Sequence, residues 1–271
     1  MIKQAIIPLA GLGTRLLPLS SVIPKELLPI NGRPGLEYIL DECIDSGIKE
    51  IIFVISPKKE IIKRYFYNDD FFKKIIKKKK KDRMIKSEYL KIKKYKKMIK
   101  FIYQDIPRGT GDAVLKCKKI IKSKYFLMLL PDDLIVKNNC SRAMIKLHNK
   151  YNSSIIASKR VNKKDVARWG IFKTGKYIKK DFIINGVIEK PSIKSAPSNQ
   201  AVIGRYILPS KIFRILKKQK PGQNGEIHIT DAIKTLINEK NRFIGHVFAG
   251  KYLDCGSMKG YIKSFTEISK L

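Results

Sequence analysis

Apolar residues in this chain fall into short unbroken runs and into helical spacing, and the two patterns take turns. Residues 2–10, Ile-Lys-Gln-Ala-Ile-Ile-Pro-Leu-Ala, read as a buried strand that ends at the turn Gly11-Leu12-Gly13-Thr14-Arg15. Over residues 35–47 the positions Leu36, Ile39, Leu40, Cys43 and Ile44 repeat at helical spacing, and Gly47 is placed to cap that helix. Glu50-Ile51-Ile52-Phe53-Val54-Ile55 is again a run of strand length. Strand, helix and strand in this order make a βαβ unit, which requires a parallel sheet covered on both faces.

The alternation continues. A strand is predicted over Lys100–Gln104, and a helix over Gly111–Ile121 with Ala113, Val114 and Cys117 on one face. A buried strand over Tyr125–Leu130 stops at Pro131-Asp132-Asp133, a helix follows near 139–151, and Ser153–Lys159 is strand-like. Beyond residue 165 the strands are shorter, at 170–173, 182–189 and 201–208, and helices are predicted near 210–218, 230–238 and 258–269. The expectation is an α/β fold: a Rossmann-like, open, mostly parallel mixed sheet flanked by helices, with a small β-rich region added. One domain over 1–271 is expected, in two parts, 1–135 and 136–271.

Residues 73–100 interrupt this rhythm with fourteen lysines, among them the run Lys77–Lys81. Such a run cannot bury itself and reads as a solvated helix or mobile arm, with a tether for an acidic partner as the alternative.

Composition narrows the function classes. The 271 residues are 44% hydrophobic and 30% charged, as in a globular protein, and no stretch of eighteen apolar residues suggests a membrane span. Met1-Ile2-Lys3-Gln4 runs straight into a strand with no cleavable leader, so a cytoplasmic location is expected. The net charge of +35 would suit a polyanion partner. The lysines are, however, spread over the whole chain and lack the aromatic interleaving of a nucleic-acid groove. A Lys- and Ile-heavy codon usage accounts for them, and neither nucleic acid nor membrane is expected as a partner. The four cysteines are scattered, without CxxC spacing, and read as reduced and apolar in role.

Candidate chemistry begins at the first turn. Glycines after a leading strand let backbone N–H groups approach a phosphate chain, and Arg15 can pair bidentately with phosphate oxygens. The turn is no Walker A loop, and Leu16 stands where a dinucleotide fingerprint needs its third glycine. Pro24-Lys25-Glu26-Leu27-Leu28-Pro29 adds a second cation in a segment stiffened by prolines. Two cations and a nest of amides suit a pentacovalent phosphorus centre, where catalysis is mostly positioning and charge neutralisation.

The turn Ala-Gly-Leu-Gly-Thr-Arg followed by Ile-Pro-Lys-Glu-Leu-Leu-Pro resembles the signature of sugar-phosphate nucleotidyltransferases, specifically the bacterial UTP–glucose-1-phosphate uridylyltransferases. The likeness continues in order through Gln104, Gly109-Thr110-Gly111, Leu130-Pro131-Asp132-Asp133, Trp169-Gly170, Val187-Ile188-Glu189-Lys190, Gly204-Arg205-Tyr206, Gly225-Glu226-Ile227, Thr230-Asp231-Ala232 and Asp254-Cys255-Gly256. It covers nearly the whole chain.

The resemblance implies a nucleotide-diphospho-sugar transferase fold, with nucleotide in the first part and sugar phosphate in the second. It implies UTP and glucose 1-phosphate as substrates, Mg²⁺ as cofactor, and a homo-oligomer, dimer or tetramer. It assigns Arg15, Lys25 and Lys190 to catalysis, and Ala10, Gly11, Gly13, Thr14, Glu26, Gln104 and Gly109 to the nucleotide, with Gln104 at the uracil edge. Gly170, Glu189, Lys190 and Gly204 fall to the sugar phosphate, and Asp132 and Asp254 to the metal. Trp169, next to Gly170, could cover the sugar, although a lone Trp is more often a core residue. His148, His228 and His246 lie outside these motifs, so no catalytic histidine is expected.

Two positions depart from the family pattern. Ser21 stands where a lysine is usual, and Asp112 where a histidine is common. They leave open the same chemistry with another pair, dTTP and glucose 1-phosphate or CTP and a sugar phosphate, and a non-catalytic nucleotide-binding relative.

Overall fold

The computed structural model describes residues 2–79, 82–222 and 225–271; Lys80 and Lys81 of the predicted lysine run lie outside the described residues. The chain opens with β1 (Gln4–Pro8), then a two-residue hairpin β2 (Pro29–Ile30) and β3 (Arg33–Pro34), and α1 (Gly35–Asp45). Next come β4 (Glu50–Ile55), α2 (Glu60–Tyr67), α3 (Asp69–Lys78), α4 (Arg83–Lys96), β5 (Ile99–Tyr103) and α5 (Thr110–Lys116). β6 (Tyr125–Leu129), β7 (Asp133–Val136), α6 (Cys140–Tyr151) and β8 (Ser154–Arg160) follow. The remainder is β9 (Gly170–Ile178), β10 (Asp181–Glu189), β11 (Gln200–Pro209), α7 (Ile212–Lys218), α8 (Ile229–Asn238), β12 (Phe243–Val247), β13 (Lys251–Asp254) and α9 (Met258–Ile268).

Nine strands form one sheet in the order β5-β4-β1-β6-β11-β8-β12-β10-β9. β5, β4, β1 and β6 run parallel, while β11 is antiparallel to β6 and to β8, and β12 returns parallel to β8. The chain moves outward from β1 to β4 and β5, then comes back to β6 on the other side of β1. That reversal opens a crevice at the carboxyl ends of β1 and β6, where open α/β sheets hold their ligands.

The unbroken apolar runs are explained by burial on both faces. Ala5, Ile7, Phe53, Leu127 and Leu129 enter one core layer, under α1, α6 and α9; Ile6, Ile52, Val54, Phe126 and Met128 enter the other, under α5, α7 and α8. Each layer draws side chains from both parts of the chain.

The lysine-rich stretch is two helices, α3 and α4, rather than a free arm. Ile85, Tyr89, Ile92 and Tyr95 recur along α4 at helical spacing; Ile92 and Tyr95 are buried, and Tyr89 stacks on Phe72 of α3 with centroids 5.5 Å apart. The lysines occupy the remaining faces, so the solvated reading holds for the charge but not for the whole stretch. Lys91 also turns back to Glu37 of α1, at 2.9 Å.

A second, two-stranded sheet pairs β13 with β7 antiparallel, with Asp254 opposite Asp133. The same ladder brings the Cys255 N–H to the carbonyl of Asp132 at 2.8 Å. Two acidic motifs far apart in sequence are thereby fastened side by side.

Candidate active site

The glycine-rich turn leaves the carboxyl end of β1 through Gly13, whose φ of +69° lies in the left-handed region. Ser20 Oγ donates to the Gly13 carbonyl at 2.8 Å and holds the far side of the turn. Pro24 then directs Lys25 into a short 3-10 turn, Lys25–Leu27, facing the end of β6. Glu26 is buried at 3% exposure, and both its carboxylate oxygens accept from Lys59 Nζ, at 2.8 and 2.9 Å. That buried pair anchors the loop that carries Lys25.

Ala10, Gly11, Gly13, Thr14, Lys25, Glu26, Gln104, Gly109 and Asp132 line one cavity of about 390 Å³. An adjoining cavity of about 730 Å³ is lined by Thr14, Arg15, Asp132, Gly170, Glu189, Lys190, Gly204 and Asp254, with Trp169 and Tyr252. All the candidate site residues thus line one cavity or the other. Asp132 and Thr14 belong to both, which puts them at the junction.

Charge converges at that junction. Lys25 Nζ donates to Asp132 Oδ2 at 2.6 Å, and Arg15 Nη2 lies 3.6 Å from the same oxygen. Burial alone would raise the Asp132 carboxyl pKa, but the Lys25 ammonium outweighs it, with Arg15 adding to the effect, and holds it below the usual range. Burial likewise opposes the Lys25 charge, yet Asp132 and Glu26 raise its pKa. Both groups are therefore ionised at neutral pH. Asp133 behaves differently: burial, then the neighbouring Asp132, push its carboxyl up to about 6. Its oxygens accept from the Gly204 N–H at 2.7 Å and the Tyr252 hydroxyl at 2.6 Å, so Asp133 ties β11 to β13 in the wall of the larger cavity.

Gly256 explains how the junction is so crowded. A Cβ at that position would stand 2.6 Å from Arg15 Nη2, 2.8 Å from Asp132 Oδ2 and 3.1 Å from Asp254 Oδ1. A cation and two carboxylates meet over a residue that has no side chain to offer. Two converging carboxylate oxygens beside a phosphate-sized space fit Mg²⁺, which takes one or two protein carboxylates and completes its shell with substrate oxygens. Asp254 is also approached by Arg168, at 3.8 Å.

Lys190 and Glu189 enter from the far wall, at the end of β10. The Lys190 N–H donates to the Trp169 carbonyl at 3.0 Å, which fastens the β10 end to the start of β9. Glu189 Oε2 lies over Gly170, 3.1 Å from where its Cβ would be. Lys190 makes no ion pair or hydrogen bond with Lys25 or Asp132 among the described residues; it lines the larger cavity together with Arg15 and Asp132, whereas Lys25 lines the smaller one. Trp169 packs edge-on to Tyr252 in the same wall, with centroids 5.6 Å apart.

Gly109 meets a structural demand. Its φ is +91°, and a Cβ there would fall 2.8 Å from the Ile227 carbonyl oxygen. The Ile227 N–H donates to the Arg108 carbonyl, and the Gly111 N–H donates to the Ile227 carbonyl, both at 2.8 Å. The 225–229 segment is thus laid across the loop and carries Glu226 and His228 to the first cavity. His228 was expected outside the site; it lines the cavity because this segment crosses Gly109 and Gly111. His148 and His246 are structural, bonded to the Ser153 carbonyl at 2.8 Å and to Asp181 at 2.9 Å.

Arg168, Tyr252, Gly256 and Arg205 are the site's supporting residues that the motifs alone do not single out. Arg205 is fully buried in β11 and donates to both oxygens of Glu42, and to the carbonyls of Leu130 at 3.2 Å and Asp133 at 2.7 Å. It braces the turn that presents Asp132. Its place directly after Gly204 was the available signal; its partners were not.

Comparison with known proteins agrees with this geometry. Residues 4–270 match the nucleotidyl transferase family. The UTP–glucose-1-phosphate uridylyltransferase of Streptococcus pyogenes is 36% identical over 271 residues, covering 97% of this chain and 87% of the relative. Among solved structures, a UDP-glucose pyrophosphorylase complexed with UDP-glucose superposes with a TM-score of 0.87 at 34% identity, covering 100% of this chain and 99% of the other. A UTP-bound UGPase from Acinetobacter baumannii gives 0.88 at 33% identity, covering 99% and 93%.

Proposed function

This chain belongs to the nucleotidyl transferase family, and from that premise we propose that it transfers the uridylyl group of UTP to glucose 1-phosphate, giving UDP-glucose and pyrophosphate. The observation that carries the reading is Asp132 at the junction of two cavities, with Lys25, Arg15 and Asp254 gathered on it. Nucleotide and sugar phosphate in separate cavities can react only where these meet.

A phosphate oxygen of the sugar phosphate attacks the α-phosphorus in line; the new P–O bond forms as the bond to pyrophosphate breaks, and pyrophosphate leaves with that electron pair. No general base is needed, because the attacking phosphate is already ionised at neutral pH. Arg15 and Lys25 are placed to neutralise charge on the triphosphate, and Lys190 to hold the sugar phosphate opposite them. Backbone groups of Gly11 and Gly13 let the triphosphate approach, and Glu189, Gly170 and Gly204 face the sugar. Mg²⁺, held by Asp132 and Asp254, would supply Lewis-acid stabilisation of the phosphate oxygens. Among the described residues no helix is long and apolar enough to cross a membrane, and a cytoplasmic setting and self-association accompany the proposal by family resemblance.

The direct test is pyrophosphate release from purified protein with Mg²⁺, each of UTP, dTTP, CTP, ATP and GTP, and glucose 1-phosphate present or omitted. Release is expected with UTP, and only when the sugar phosphate is present. Release with dTTP instead would move the nucleotide assignment, and release with no pair, in folded protein that binds UTP, would overturn the enzyme reading.

Gly256→Ala tests the crowding at the junction. The added methyl must displace Arg15 or Asp132, and a shift near 1 Å in a phosphoryl-transfer site lowers kcat/KM by about 100-fold. The thermal midpoint should barely move. Activity within threefold of the unmodified protein would mean that the convergence is not needed.

A further inference from the structure

Gln104 is the residue expected to meet the base, and its neighbours decide which end of the amide does so. Its Nε2 donates to Asp112 Oδ2 at 2.7 Å and to the Gly109 carbonyl at 3.3 Å. A carboxylate and a carbonyl can only accept, so both must face the NH₂ end whichever way an amide is first drawn. The Oε1 end takes no hydrogen bond from the described residues. Gln104 is 2% exposed and lines the 390 Å³ cavity. Oε1 is the end of the Gln104 amide left to accept from a ligand in that cavity.

We propose that Asp112 is a positioning residue that locks the Gln104 amide with Oε1 toward the base, and so selects a pyrimidine carrying a donor at N3 over cytosine. The inference rests on the uridylyl-transfer reading and deepens it. Uracil and thymine present N3–H, which Oε1 can accept; cytosine presents a lone pair there, and two acceptors face each other. An amide free to turn over would serve either base. A histidine at position 112 could donate through one tautomer and accept through the other, leaving only the longer bond to the Gly109 carbonyl, at 3.3 Å, to orient the amide. The carboxylate in this chain fixes the amide. A site whose buried polar group has fixed polarity discriminates against the ligand of opposite polarity, because the mismatch leaves both groups unpaired.

The experiment compares UTP with CTP on the unmodified protein, Asp112→Asn and Asp112→Glu. It measures kcat/KM with glucose 1-phosphate, and equilibrium binding of each nucleotide without sugar. Asparagine keeps the size but offers either an oxygen or an NH₂ to Gln104, so the UTP:CTP ratio should fall about tenfold in both measurements. Glutamate still only accepts and should keep the ratio within about threefold of the unmodified protein, on the same principle. A merely structural role for Asp112 would weaken both nucleotides alike and leave the ratio unmoved, which would overturn the inference. Equal relaxation by Asp112→Glu would overturn it as well. If the unmodified protein binds UTP over CTP without turnover, the reaction assignment fails, while the binding ratios still decide the role of Asp112.

Discussion

Asp132→Asn is expected to reduce kcat for pyrophosphate release by about 10³-fold or more while leaving the protein folded. The substitution changes one oxygen to an NH₂ and removes the charge on which the junction is organised. Lys25 loses its partner at 2.6 Å and Arg15 its partner at 3.6 Å. Asp254 is left as the single carboxylate of the converging pair. These losses fall on groups placed to act while charge moves between the triphosphate and the leaving pyrophosphate, so kcat should drop more than KM rises. Steady-state kinetics at saturating Mg²⁺, with circular dichroism to verify the fold, measure this. A kcat within tenfold of the unmodified protein would remove Asp132 from the chemistry.

The parts of this site that were legible in the sequence are those written locally. Gly11 to Arg15 and Lys25 sit in short stretches whose residue types match phosphate chemistry, and β1, β4 and β6 announce themselves as apolar runs because both of their faces are buried. The family resemblance then placed the remaining motifs in order, and both fold class and family agree with it.

What stayed illegible depends on partners distant in sequence. Nothing near Asp254 says that β13 pairs with β7, since each strand is four residues long, β7 starting on a charged residue and β13 charged at both ends. β12 escaped because Gly245 and His246 break its apolar run. In the structure the Phe182 ring occupies the space over Gly245, and His246 meets Asp181 through Nδ1 at 2.9 Å. A helix was one reading of the lysine-rich stretch, but the buried face of α4 was not foreseen, because the number of lysines masks an apolar stripe ending in Ile92 and Tyr95. Lys59, likewise, looks like one surface lysine among many until it is found beneath Glu26.

Arg205 is the strongest case of that kind, and it carries the largest expected effect on stability. It is an arginine with no exposure, donating to Glu42 with N–O distances from 2.9 to 3.1 Å, and Glu42 also accepts from the Ser141 hydroxyl at 2.6 Å. Arg205→Met leaves a buried carboxylate facing a thioether and takes the guanidinium donor from the carbonyls of Leu130, Gly204 and Asp133, of which Gly204 keeps the Leu130 N–H at 2.8 Å. Removing one partner of such a pair costs about 3–5 kcal/mol. For a protein of this size that corresponds to a fall in thermal midpoint of roughly 5–10 °C. Activity should fall as well, because the Leu130 and Asp133 carbonyls flank Asp132 in the turn on which it is mounted. Adding Glu42→Leu removes the uncompensated charge, so the double variant should recover much of the lost stability. It should not recover the activity, since the turn still lacks its brace. Differential scanning calorimetry of both variants, paired with kcat/KM on the folded protein, separates the two roles. A single variant that melts within about 2 °C of the unmodified protein would show that the pair contributes little to holding the fold. A double variant with full kcat/KM would show that the Asp132 turn stands without Arg205.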